Sequence, residues 1–83
     1  MHHEPICREI DLRGQICPST LLTALREINT NKTELRAGEL RLIILTDNRS
    51  STTHISESVS AMGYLIEIQK EQEYYRITID RIS

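Results

Sequence analysis

The run LRLIILT at residues 40–46 is the feature that most constrains how this 83-residue chain can fold. It is nearly all aliphatic, a pattern typical of a β-strand that is buried on both sides. The sequence around it must therefore supply the rest of a sheet and the helices that cover it. A chain of this length has room for one such domain.

Shorter patterns on both sides of this run predict the remaining elements. Alternating aliphatic and polar residues indicate strands, and aliphatic residues at helical spacing indicate helices. Gly14 interrupts the first strand pattern, and Gly63 stands where a left-handed residue would end the second helix. The predicted order is a strand at 8–13, a helix from about 18 to 29–31, a polar loop at 30–39 with a turn of helix as the alternative, the strand at 40–46, a helix that begins within 50–53 and stops at Gly63, a strand at 64–70, a hairpin loop at 71–73 and a strand at 74–80.

This β-α-β-α-β-β order predicts an α+β fold, a two-layer sandwich in which two helices cover one face of a four-stranded mixed sheet. The first three strands should run parallel through right-handed crossovers, and the hairpin makes the last strand antiparallel. Residues 1–7 show no pattern and are expected to fray, so 8–83 form the single domain. The uncovered sheet face should be partly polar, with Glu67, Gln69, Arg76 and Thr78.

Aliphatic side chains must form the core, because the chain has three tyrosines and neither Phe nor Trp. The helical spacing selects one face of each helix, and strand alternation selects the residues that meet it. The predicted core consists of Leu21, Leu25, Ile28, Ile55, Val59 and Met62 from the helices and of Leu42, Ile44, Ile66, Ile68, Ile77 and Ile79 from the strands.

Composition excludes several classes of function. The net charge of −2 gives no electrostatic footprint for direct binding of nucleic acid. No apolar run approaches the roughly 20 residues of a membrane-spanning helix, and the N-terminus does not resemble a signal peptide. Two cysteines are too few for a secreted disulfide scaffold, so we expect a cytoplasmic protein. The spacing of the His and Cys residues matches no metal-ligand pattern, and no cofactor is expected.

Cys17 is the most informative residue, because it stands between a predicted strand and the first residue of a predicted helix. A thiolate at a helix start faces unpaired backbone N–H groups and the positive end of the helix dipole. Such positions lower a cysteine pKa from about 8.5 and make the sulfur a better nucleophile at neutral pH. Pro18 suits the first helical position. The alternative is that Cys17 is a small buried hydrophobic residue, as many free cysteines are.

Cys7 and Asp47 have both a functional and a structural interpretation, whereas His54 has a structural one. Cys7 lies before the first predicted strand and is expected to be a neutral terminal residue, although a resolving thiol is the functional alternative. Asp47 follows the buried strand, at the end where α/β sheets place ligands, but an Asx turn explains it more simply. His54 is most simply a surface residue near the start of the second helix.

The run Asp11-Leu12-Arg13-Gly14-Gln15-Ile16-Cys17-Pro18 resembles the TusA-type (SirA-like) family of sulfur carriers. Matches outside this run extend the resemblance over about residues 9–82. They are Gly38-Glu39, Thr46-Asp47, Gly63-Tyr64 and Tyr75-Arg76-Ile77.

The resemblance implies a sulfurtransferase that accepts sulfane sulfur as a persulfide on Cys17 and passes it to a partner protein. The implied donors are a cysteine desulfurase or a thiosulfate-handling protein, and the implied acceptors serve tRNA thiolation, cofactor assembly or sulfur oxidation. The residues predicted to support the Cys17 site are Gly14, which breaks the preceding strand, and Pro18, Ser19 and Thr20 at the helix start, with Arg13 and Asp47 as further candidates.

The chain departs from the family at Thr20, where the family motif Cys-Pro-x-Pro has its second proline. If Cys17 caps the helix, the Thr20 N–H could donate to its sulfur, which a proline could not do. Two alternatives stay open. The first is a thiol redox protein, disfavoured because neither Pro5 nor Pro18 can serve as the cis-proline of a thioredoxin-like fold. The second is a non-catalytic interaction or regulatory domain that uses the polar sheet face.

Overall fold

The computed structural model describes residues 6–15 and 19–81, which form one four-stranded sheet and three helices. The α+β class with a mixed sheet is therefore as predicted. In chain order the elements are β1 (Ile6–Asp11), α1 (Ser19–Thr30), α2 (Lys32–Ala37), β2 (Leu40–Thr46), α3 (Arg49–Ala61), β3 (Leu65–Lys70) and β4 (Tyr75–Asp80).

The strands lie in the order β1-β2-β4-β3, and the LRLIILT run forms β2 in the interior of the sheet. β1 pairs with β2 in parallel, and β4 pairs with both β2 and β3 in antiparallel fashion. β1, β2 and β3 thus run in the same direction, as predicted, with β4 inserted between the last two. No helix in the described ranges is long and apolar enough to cross a bilayer.

The helices cover one face of the sheet, where all three contribute fully buried side chains to a single core. Most predicted core positions are confirmed, and Leu21 and Ile66 pack against the core while partly buried. The fully buried members that the sequence identified are Ile28, Ile55, Val59, Leu42, Ile44, Ile77 and Ile79.

Three predicted core residues were wrong. Leu25 is only half-buried, while Met62 and Ile68 are 38% and 41% exposed. Met62 is the C-cap of α3, and Ile68 lies on an edge strand, so each has solvent on one side. Periodicity identifies the apolar face of an element but cannot show where the covering layer ends.

In α1 the buried face is rotated from the prediction. It consists of Thr20, Ala24 and Ile28, and the larger Leu22 is left 57% exposed. These residues follow one another at intervals of four, so they form one stripe along the helix. Two of them are small, which allows the helix to approach its neighbours closely. Selecting the bulkiest side chains therefore identified Ile28 but missed Thr20 and Ala24.

Two element boundaries differ from the prediction. β1 begins at Ile6, so Ile6 and Cys7 belong to a strand and pair with Leu40 and Arg41 instead of fraying. At 30–39, where a loop was predicted with a turn of helix as the alternative, the structure has the six-residue helix α2, and its Leu35 is fully buried in the core. A single buried leucine in a polar segment carries too little periodicity to predict a helix.

The ends of α3 have defined caps. The side chain of Asn48 accepts hydrogen bonds from the backbone N–H groups of Ser50 and Ser51, so the cap lies before the predicted Ser50–Thr53 cluster. At the other end Gly63 has φ of 94° and stops the helix, as predicted. The N–H of Tyr64 reaches back to the Val59 carbonyl, which completes a Schellman motif.

The sheet face opposite the helices is partly polar as predicted, because the strand register places Glu67, Gln69, Arg76 and Thr78 there. Arg41 and Asp80 lie on the same face and form an ion pair at 2.9 Å.

The rotated face of α1 gives a stability prediction with a matched control. Ile28→Ala removes a fully buried side chain and should lower the free energy of unfolding by about 2–5 kcal/mol. Leu25→Ala should cost only about 1 kcal/mol, since part of that side chain is already in water. Urea denaturation of the two variants measures both values, and equal losses would contradict the orientation of α1.

Candidate functional site

The connection between β1 and α1 begins as a tight loop over residues 12–15. Leu12 is buried, and its N–H donates to the Leu45 carbonyl at 2.8 Å, which extends the pairing with β2 by one residue. The Gln15 N–H donates back to the Leu12 carbonyl at 3.2 Å and closes a turn. Gly14 has φ of 90° within this turn, a conformation that residues with a Cβ rarely adopt.

Asp47 ties this loop to the end of β2. Its Oδ2 accepts a hydrogen bond from the Gly14 N–H at 3.1 Å. Because parallel β1 and β2 end at the same edge of the sheet, the residues that follow them meet there. The structure therefore gives Asp47, a further candidate from the sequence, a direct contact with the loop.

Arg13 is held from two sides. Its Nε and Nη2 donate to the two carboxylate oxygens of Asp11 at 2.9 and 2.7 Å, and its backbone N–H donates to Asp11 Oδ1 at 3.0 Å. Its guanidinium also lies over the ring of Tyr74, 5.1 Å from the centroid, at a distance where cations and aromatic rings attract. The side-chain hydrogen bonds from Arg13 lower the pKa of Asp11 from its usual 3.8 to about 2.

Sequence reasoning identified Gly14, Asp47 and Arg13 as site candidates but missed Asp11 and Tyr74. The opposite charges of Asp11 and Arg13, two residues apart across a turn, were an available signal. Tyr74 lies some sixty positions further along the chain, in the β3–β4 hairpin, and only the fold brings it to the loop.

The first turn of α1 contains two of the predicted supporting residues. Ser19 is the first helical residue and is exposed, whereas Thr20 is fully buried. The Thr20 hydroxyl oxygen has no hydrogen-bond partner in the described structure, which is unusual for a buried polar atom. Cys17 and Pro18 lie outside the described residues.

Cys7 is an exposed free thiol on β1, on the open face of the sheet beside Arg41. Five residues of extended chain place it about 16 Å along the strand from Leu12. The sequence assigned Cys7 to a frayed terminus before the strand, and the pairing of Ile6 and Cys7 with β2 corrects this. His54 is exposed on α3, as predicted. The described residues contain no cluster of His, Cys, Asp and Glu side chains that could hold a metal ion.

Comparison with known proteins agrees with the fold. Residues 8–81 match the family described as "Sulfurtransferase TusA". A relative from Archaeoglobus fulgidus, described as "Putative sulfur carrier protein", is 30% identical over 75 residues, which is 89% of this chain and 96% of the relative. The crystal structure of a SirA-like protein from Desulfitobacterium hafniense superposes with a TM-score of 0.70 at 27% identity, over 89% of this chain and 95% of that one.

This small α+β domain is thus matched over nearly its whole length by a sulfurtransferase family, by a relative named as a putative sulfur carrier and by a SirA-like structure. The chain belongs to the TusA (SirA-like) sulfurtransferase family.

The Asp11–Arg13 pair gives a prediction in pH. A carboxyl whose pKa is lowered by folding contributes stability above its usual pKa and loses that contribution as pH falls through the folded value. The contribution of the Asp11 contact to stability should therefore be lost between about pH 4 and pH 2. In an NMR titration Asp11 should show a pKa of about 2. Arg13→Met should return it toward 3.8, and an unchanged pKa in that variant would contradict the assigned cause.

Thr20 gives a second prediction. Thr20→Val keeps the shape of the side chain and replaces the unpaired buried hydroxyl with a methyl group, so the free energy of unfolding should rise by about 1 kcal/mol. Thr23→Val, at a half-buried position of the same helix, is the control and should change it by less than about 0.5 kcal/mol. A destabilised Thr20→Val variant would mean that the hydroxyl has a partner in solution.

Proposed function

We propose that this protein is a sulfur carrier that accepts sulfane sulfur as a persulfide on Cys17 and passes it to a partner protein. The observation that carries the proposal is the family match over residues 8–81, which spans Cys17 and Pro18. Cys17 comes two residues before Ser19, the first residue of α1. The free N–H groups of that helix's first turn favour negative charge, and both a thiolate and a persulfide are anionic.

The proposed reaction consists of two sulfur transfers. In the first, the Cys17 thiolate attacks the outer sulfur of a donor persulfide, the donor's S–S bond breaks, and the donor leaves as a thiolate. In the second, an acceptor thiolate attacks the outer sulfur now on Cys17, and the Cys17 thiolate leaves. A low pKa at Cys17 assists the second step, because thiols of lower pKa leave faster. No electrons are gained or lost overall, so the scheme needs neither cofactor nor metal.

The loop over residues 12–15 supports the proposal, because it leads into the Cys17 segment from a restrained position. The Asp47 carboxylate, directly after β2, accepts a hydrogen bond from the Gly14 N–H. Arg13 is held by Asp11 and Tyr74. We therefore assign Gly14, Asp47 and Arg13 as positioning residues that limit the conformations of the loop.

A second cysteine is not required by this scheme. Cys7 lies at the start of β1, and the loop follows the other end of that strand. This separation favours the carrier over the thiol redox alternative, in which Cys7 would resolve a disulfide with Cys17.

The partners follow from the same proposal. The donor is a cysteine desulfurase or a thiosulfate-handling protein, and the acceptor is a protein thiol in tRNA thiolation, cofactor assembly or sulfur oxidation. Such transfers belong to the reducing cytoplasm, which is the proposed location. Thr20, in place of the family's second proline, retains a backbone N–H in the first turn of α1 and so adds one donor to the helix start.

The proposal is tested by loading the protein from a sulfane-sulfur donor and measuring its intact mass. Wild-type protein should gain the mass of one sulfur atom, Cys17→Ser should gain none, and the matched variant Cys7→Ser should load like wild type. Urea denaturation should show that both variants fold. The midpoint of Cys17 alkylation against pH should lie below about 8.5.

Other outcomes would replace the proposal. Loss of transfer in Cys7→Ser would indicate a two-cysteine redox mechanism. Absence of loading in wild-type protein, together with an ordinary or unreactive Cys17, would favour a non-catalytic domain that acts through its polar sheet face.

A further inference from the structure

The sheet has two edge strands, β1 and β3, and the charges along them differ. Among the described residues β3 pairs only with β4, through a continuous register over Leu65–Lys70 with no bulge. It also carries two of the exposed large aliphatic side chains, Leu65 and Ile68. A regular edge of this type offers unpaired N–H and C=O groups to another strand.

Charge opposes self-pairing at the β1 edge. Two copies of a six-residue strand can pair antiparallel about a two-fold axis that passes through one residue position. If the helix-covered faces of both copies are to lie on the same side, two such registers pair five residues of each strand. In β1 the residue on the axis would be Arg8 in one register and Glu9 in the other. Each register would thus oppose like charges at its centre, which destabilises a strand pair.

The β3 edge permits one of its two registers. A pair centred on Glu67 would again oppose two carboxylates. A pair centred on Ile68 places Ile68 against Ile68 of the second copy, Ile66 against Lys70, and Glu67 against Gln69. No like charges face each other in this register, and the Gln69 amide can donate to the Glu67 carboxylate across the junction.

We propose that two copies of this chain associate through β3, antiparallel and centred on Ile68, to form a continuous eight-stranded sheet. Matching faces keep the helices of both copies on one side of that sheet. The β1–α1 loop stays accessible, because β1 forms the opposite edge. The inference is therefore independent of the proposed sulfur transfer.

The contact consists of one strand pair and its flanking side chains, which is small for a protein interface. We expect a dissociation constant of about 0.1–1 mM, so the dimer should appear in sedimentation equilibrium as the protein concentration approaches that range.

The register is tested by adding one negative charge to β3 and then by exchanging two residues of the strand. Gln69→Glu places two carboxylate pairs across the junction and should weaken association about tenfold or more. Within its own chain position 69 faces Arg76, so this variant should still fold. The exchange Glu67→Gln with Gln69→Glu restores one carboxylate opposite one amide and should recover wild-type association. Gln72→Glu, in the exposed hairpin loop, makes the same change in net charge outside the strand and is the matched control.

Two results would overturn the proposal. One is a wild-type chain that sediments as a monomer at about 1 mM. The other is a dimer that Gln69→Glu and Gln72→Glu weaken equally, since net charge rather than the β3 register would then govern association. Urea denaturation of each variant excludes unfolding as the cause.

Discussion

The backbone of β2 sets the conditions for the rest of the molecule. A buried strand has no water to satisfy its N–H and C=O groups, so both of its edges must be paired, and β1 and β4 pair them. β1 runs parallel to β2, and a parallel connection must cross back over the sheet. α1 and α2 form that crossing and bring buried side chains to the core. The same connection brings the loop after β1 to the edge where β2 ends.

The shared position of the carboxyl ends of β1 and β2 accounts for the organisation of the candidate site. The loop over residues 12–15 is restrained by Asp47 after β2, by Asp11 at the end of β1 and by Tyr74 in the β3–β4 hairpin. Each contact is exposed and weak by itself. Together they restrict one short loop from three directions, and the buried side chain of Leu12 anchors the start of that loop in the aliphatic core. Apart from Leu12, the residues that restrain the loop are not members of the core.

The sequence predicted the fold class, the strand directions and β2 well, because these follow from patterns several residues long. The sequence predicted burial less well at the margins of the core, where the layer of helices no longer covers the sheet. Ile68 and Met62 satisfy the periodicity of their elements, but each keeps about two fifths of its surface exposed. The buried stripe of α1 was missed because Ala24 is small. Contacts that join distant positions, such as Arg13 with Tyr74, have no local pattern and become visible only once the strands are ordered.

The candidate site was predicted in part for the same reason. Gly14 and the Asp47 carboxylate stand at recognisable junctions of strand and loop, so sequence alone could select them. The exposed position of Cys7 within a strand could not be read from residues 1–7, because their pattern is too short. The buried, unpaired hydroxyl of Thr20 depends on how α1 is rotated, which the sequence did not determine.

Two neighbouring residues after β2 perform separate tasks. Asp47 accepts the Gly14 N–H of the β1–α1 loop, and Asn48 accepts the first N–H groups of α3. An insertion between Thr46 and Asn48 would displace at least one of these acceptors from its donor. The junction is therefore fixed in length although it lies at the surface, where loops usually tolerate insertion. Length variation among related chains should be absent here, and a fusion or tag inserted at this turn would disturb the loop and the helix together.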